Sequence, residues 1–163
     1  SLDYDTTLKY NVNEKLSYNG ELDLIKATVA LMGVDQGFDL LLHSDAPPGC
    51  GLGTSSAAVV GIVGAIKEWL KLPIGHYEVA QLACRIERDE VGIAGGRQDQ
   101  YAATFGGVNF IEFLGDTTVV NPLRIPSSTN SSTDWCCATR AEPGYRPASS
   151  KIRSQVWHKN DRT

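Results

Sequence analysis

The residues best suited to chemistry lie in one run, Asp45-Ala46-Pro47-Pro48-Gly49-Cys50-Gly51-Leu52-Gly53-Thr54-Ser55-Ser56-Ala57-Ala58. Each proline fixes its own φ and bars helix in the residue before it, so Pro47 and Pro48 stiffen the entry. Gly49, Gly51 and Gly53 alternate after them, and a glycine backbone can come close to a ligand with no Cβ in the way. Thr54, Ser55 and Ser56 then open an apolar stretch that reads as helix. Small hydroxyl residues are good N-caps, and the free N–H groups of a first turn point at whatever stands before them. A glycine loop running into a helix N-terminus is an anion site, where amide donors and the positive end of the helix dipole converge on phosphate. Two familiar loops are excluded by spacing. No Lys-Ser/Thr pair closes the run as in a P-loop, and Ser56 occupies the third glycine position of a dinucleotide fingerprint. An ordinary glycine turn is the rival reading, and the proline entry with three glycines and three hydroxyls outweighs it.

A second run combines glycine with acid. Residues Gly92-Ile93-Ala94-Gly95-Gly96-Arg97-Gln98-Asp99-Gln100-Tyr101-Ala102-Ala103-Thr104-Phe105-Gly106-Gly107 set Asp99 between glycines, which describes a shaped loop and a short helix rather than a linker. Just before it stands the charged group Arg85, Glu87, Arg88, Asp89 and Glu90. Arg85, Arg88 and Glu90 read as a solvated face, and Glu87 is set apart by the loop that follows. His43 precedes the first loop with no partner evident in sequence and is a weak candidate base.

These groups need elements to hold them. Leu22, Ile25, Val29 and Met32 share one face at helical spacing, and Gly33 is a C-terminal stop. Phe38 to Ser44 is predicted as a strand delivering the chain into the glycine loop. A nearly apolar helix over 54–70 follows, with Gly61 and Gly64 permitting close approach of another element. A second helix is predicted over 77–91, with Val79, Leu82, Ala83 and Ile86 inward. Residues 108–114 alternate as a strand, Asp116 makes a turn, and 117–120 pair back as a hairpin. The opening, from Leu2 to Val12, alternates partly, like a strand already under way.

The 163 residues suffice for one domain with a core, or a piece of a larger one. A net charge of −4 with scattered Lys and Arg argues against nucleic acid. No apolar run is long enough to span a membrane, and no signal segment opens the chain. Cys50, Cys84, Cys136 and Cys137 lack zinc spacing, and a reduced, cytoplasmic protein is the plain reading. The Asn130-Ser131-Ser132 acceptor pattern is too short to carry weight.

The first run resembles the P-P-G-x-G-L-G-S-S-A motif of the GHMP kinases, the superfamily of galactokinase and of homoserine, mevalonate and phosphomevalonate kinases. Gly-Arg-Gln-Asp-Gln-Tyr-Ala-Ala followed by Phe-Gly-Gly resembles their aspartate segment and is most similar to the D-glycero-D-manno-heptose 7-phosphate kinase branch. The resemblance covers about residues 1–125 and implies an α+β, two-layer N-terminal domain of the ribosomal protein S5 domain 2-like kind, lacking its first strands. It implies ATP-dependent phosphorylation of a heptose 7-phosphate at the anomeric hydroxyl. A fucokinase or other sugar 1-kinase is the alternative, and a non-catalytic nucleotide-binding fragment is the alternative of another class. By the same resemblance Pro48, Gly49, Cys50, Gly51, Leu52, Gly53, Thr54, Ser55 and Ser56 would hold ATP. Ser55 and Glu87 would hold Mg2+, and Asp99 would take or orient the proton of the sugar hydroxyl, with Arg97 offsetting charge. The implied partner is a small sugar phosphate, with no nucleic acid or membrane, and a homodimer is compatible with it.

Members of that family are longer than this chain, so a C-terminal domain and an N-terminal segment are expected to be missing. Residues 126–163 change character, beginning with a polar run that cannot bury a core. Arg146-Pro147-Ala148-Ser149 faintly resembles a family segment, and a shift of reading frame over about residues 127–145 would explain the interruption. A dinucleotide-binding domain is the structural rival, but residues 70–75 lack the acid at a strand end that it requires.

Overall fold

A computed structural model of the chain describes residues 7–11, 14, 17–44, 46, 50–124, 135–138 and 155–158. It is α+β, and the chain divides into two compact units, Ser1–Gly106 and Gly107–Thr163. The first unit contains four helices: α1 (Asp23–Leu31), α2 (Thr54–Leu70), α3 (His76–Arg85) and α4 (Gln98–Phe105). A π-helical turn, Ile86–Glu90, continues α3 directly.

Helix α2 is the axis of this unit, touching α1, α3 and α4. Its buried positions are Ser56, Val59, Ile62, Val63 and Ile66, a stripe at helical period. One side of the stripe packs with Ala27, Val79, Ala83 and Ile86, and the other with Val29 and Val34. Gly61 and Gly64 do not serve a close approach. A Cβ on either would meet nothing within 4 Å among the described residues. Helix α1 begins over a polar knot in which the Asp23 carboxylate accepts from the Asn19 and Gly20 amides, while buried Lys26 donates to Asn19 Oδ1 at 2.6 Å.

Three predicted elements come out differently among the described residues. Phe38–Ser44 is not a strand: it forms no ladder with another segment among the described residues. It runs extended, with Phe38, Leu40 and Leu42 packed on the α1–α2 core and Leu41 exposed, so the alternation survives without the sheet. The helix expected over 77–91 starts at His76 and changes to π geometry after Arg85, where the Val91 amide reaches back five residues to the Ile86 carbonyl at 3.1 Å. Residues 7–11 carry no strand, and the rest of the expected opening strand lies largely outside the described residues.

The second unit contains a hairpin of β1 (Asn109–Leu114) and β2 (Thr117–Pro122), antiparallel, with Ile111 opposite Val120. Gly115, at φ 63, and Asp116 make its two-residue turn. Two further strands, β3 (Trp135–Ala138) and β4 (Gln155–His158), pair antiparallel. The polar character of the tail did not anticipate them, although both contain β-prone residues such as Trp135, Val156 and Trp157. The polar run from 126 to 134 lies outside the described residues. No helix among the described residues is long and apolar enough to cross a membrane.

Candidate active site at the start of helix α2

The glycine loop ends at Gly53, which holds φ 71 and hands the chain to α2; Gly51 is also left-handed, at φ 75. A side chain would be strained at either position, and this is the physical reason for glycine there. No side chain caps α2, and its first hydrogen bond runs from the Ala57 amide to the Gly53 carbonyl at 2.9 Å. The amides of Thr54, Ser55 and Ser56 therefore have no partner within the helix, the arrangement that anion sites at helix starts use. Cys50 and Thr54 are half-buried and Leu52 and Ser55 exposed, while Pro48 and Gly49 lie outside the described residues.

Two acids converge on this turn from separate segments. Asp99, in the first turn of α4, stands over Gly53: a Cβ built on Gly53 would lie 3.2 Å from its Cγ and 3.4 Å from its Oδ2. The glycine is thus required twice, by its backbone angle and by the carboxylate above it. Glu87 arrives from the π turn and is 1% exposed. The Ser56 hydroxyl donates to its Oε2 at 2.9 Å and lies 3.2 Å from its Oε1. Gln100, 0% exposed, donates its amide to Glu87 Oε2 and to Ser56 Oγ. Glu87 continues the buried stripe of Ala80, Ala83 and Cys84 at helical spacing and puts an acid where an apolar residue would ordinarily be buried.

The sequence reading pairs Glu87 with Ser55, whereas the hydroxyl that reaches the carboxylate is that of Ser56. Ser55 is on the exposed side of the same turn. Arg97 is exposed and immediately precedes α4. His43 is exposed, before the loop.

Arg88 corrects its earlier reading as a solvated charge. Its guanidinium donates to the Ile93 carbonyl at 2.7 Å and to that of Gly96, and a Cβ on Gly95 would fall 2.9 Å from Nη2. It is a clamp on the loop that leads to Asp99. Gln100 also escaped the sequence reading. Its signal was periodicity: Gln100 and Thr104 are four apart on α4, and the Thr104 hydroxyl donates back to the Gln100 carbonyl at 2.7 Å. Among the described residues no three His, Cys, Asp or Glu side chains cluster as a metal cage.

Comparison with known proteins gives a consistent result. Residues 22–107 match the family described as GHMP kinases N terminal domain. The chain is similar to the D-glycero-alpha-D-manno-heptose 7-phosphate kinase of Campylobacter jejuni, with 49% identity over 131 residues, 77% of this chain and 39% of that protein. Among solved structures, a candidate sugar kinase from Campylobacter jejuni superposes with a TM-score of 0.72 at 43% identity, covering 86% of this chain and 46% of that one. A D-glycero-D-manno-heptose 1-phosphate kinase from Bacteroides thetaiotaomicron superposes with a TM-score of 0.65 at 44% identity, covering 74% of this chain and 41% of that one. The chain thus spans less than half the length of each of these relatives.

Proposed function

The chain belongs to the GHMP kinases, through their N-terminal domain, and from that membership we propose that it is the nucleotide-binding part of an ATP-dependent sugar kinase. The proposed acceptor is the anomeric hydroxyl of a heptose 7-phosphate, a choice supported by the 49% identity to a protein named for that substrate. The observation that carries the proposal is the meeting of Gly53 with Asp99, which sets an acid directly above an anion-binding helix start.

Phosphoryl transfer asks a protein for positioning and charge neutralisation more than for covalent chemistry. In this reading the loop from Pro48 to Gly53 and the first-turn amides of Thr54, Ser55 and Ser56 hold the phosphates of ATP. Asp99 accepts or orients the proton of the attacking sugar hydroxyl, and Arg97 offsets charge on the transferred group. The donor set suits a hard cation that keeps phosphate and water ligands, because Glu87 offers one carboxylate beside the Ser56 hydroxyl, and Ser55 carries a second hydroxyl on the exposed side of the same turn. Mg2+ held there would neutralise phosphate charge. Glu87 Oε1 keeps acceptor capacity for it, since among the described residues its hydrogen-bond partner is Ser56 alone, at 3.2 Å. The proposal includes a cytoplasmic location, supported by Cys50 and Cys84 being free thiols.

The test is transfer itself: ATP, Mg2+ and heptose 7-phosphate are incubated with the protein and the product is read by phosphorus NMR. A second phosphate on the anomeric carbon is expected. Phosphate transferred to another hydroxyl would overturn the substrate assignment, and failure to bind ADP in a calorimetric titration would overturn the kinase reading.

A further inference from the structure

Gln100 carries a feature that core packing does not explain. It is 0% exposed, yet among the described residues its Oε1 has no hydrogen-bond partner. A buried carbonyl left unpaired is a standing cost, tolerated where the group serves something besides stability. Turning the amide over would not relieve it, because the carbonyl oxygen would then face the Glu87 carboxylate.

That orientation has a consequence for Glu87, whose two oxygens are treated unequally. Oε2 receives the Gln100 amide and the shorter Ser56 contact, 2.9 Å, and lies 3.7 Å from Arg88 Nη2. Oε1 has only the 3.2 Å contact with Ser56 among the described residues. We propose that Gln100 is a positioning residue for the divalent cation: it pins Glu87 through Oε2 and thereby leaves Oε1 as the oxygen that coordinates. Carboxylates that bind metals are generally held by outer hydrogen bonds of this kind, and losing one costs about 10–100-fold in metal affinity. The inference rests on the kinase reading given above.

The experiment is calorimetric titration of the protein with ADP, with and without MgCl2, for the unsubstituted chain, Gln100→Met and Gln100→Asn, each checked by thermal melting. Methionine keeps the length and removes the donor, and asparagine keeps the amide but falls a methylene short. We expect Gln100→Met to weaken Mg2+-dependent ADP binding by about 10–100-fold, with metal-free ADP affinity unchanged and Gln100→Asn in between. A merely structural role would move both affinities together. Equal losses with and without Mg2+ would overturn the proposal, as would an unchanged Mg2+ dependence in both variants. If Gln100→Met does not fold, the Asn variant carries the same test. An unsubstituted chain that binds no ADP would overturn the kinase reading, and this inference with it.

Discussion

Gly53 sits where one added carbon would separate the loop from the acid above it. Gly53→Val forces a branched side chain into a left-handed backbone, at about 1–2 kcal/mol, and into Asp99, 3.2 Å from the new Cβ. It should abolish ADP binding, and unchanged affinity of a folded variant in a calorimetric titration would contradict the loop's role. Asp99→Asn keeps size and removes charge. In the phosphoryl-transfer assay it should lower kcat by about 10²-fold or more while ADP affinity holds, and near-normal turnover would leave Asp99 a structural residue. Cys50 and Cys84 offer a chemical check on the same loop. Burial pushes the Cys84 thiol up to about 11, so at pH 8 it stays protonated and inert. Iodoacetamide should therefore modify Cys50 before Cys84, and more slowly with ADP bound; peptide mass spectrometry giving equal rates at these two thiols would refute this. Residue choice was legible only in part. Composition singled out three hydroxyls but could not rank them, and helical phase does no better: Ser55 lies four and Ser56 three positions before buried Val59, yet only Ser56 is buried.

At the scale of elements, α2 was fully readable, because a glycine loop and a left-handed Lys71 bound an unbroken apolar period. The end of α3 was not. Its charged run hides a π turn that buries Glu87 and turns Arg88 back onto the 93–96 loop, and neither is visible in local sequence. The 38–44 segment misled for a related reason, since alternation reports burial on one side and says nothing about a pairing strand. Arg88→Ala should cost about 1.5–3 kcal/mol, the range for hydrogen bonds from a charged donor, as measured by urea unfolding. Arg88→Lys should not restore it, for an ammonium cannot fork across the Ile93 and Gly96 carbonyls. A wild-type midpoint in the alanine variant would return Arg88 to the solvated face. Gly61→Ala should act in the opposite direction. It adds a methyl in open space on a helix and should stabilise by about 0.5–1 kcal/mol, and a lower melting temperature would mean that something does approach there.

At the scale of the whole chain, the β1–β2 hairpin presents Phe110, 57% exposed, and Leu114, 62% exposed, on one face beside Val119. Apolar area of this kind is an association liability, and a net charge of −4 is modest opposition to it. Light scattering on a size-exclusion column should find the chain self-associating, and Phe110→Ser with Leu114→Ser should shift it toward monomer. A monodisperse monomer before substitution would refute this.

The Ser56–Glu87–Gln100 trio joins positions 31, 13 and 44 residues apart along the chain. Contacts of such span wait on loop closure, whose entropy must be met before any of these hydrogen bonds forms. During synthesis Gln100 emerges after the other two, trailing Glu87 by thirteen residues, about one to a few seconds of elongation. The α1–α3 core can form in that interval while Glu87 lacks its amide donor.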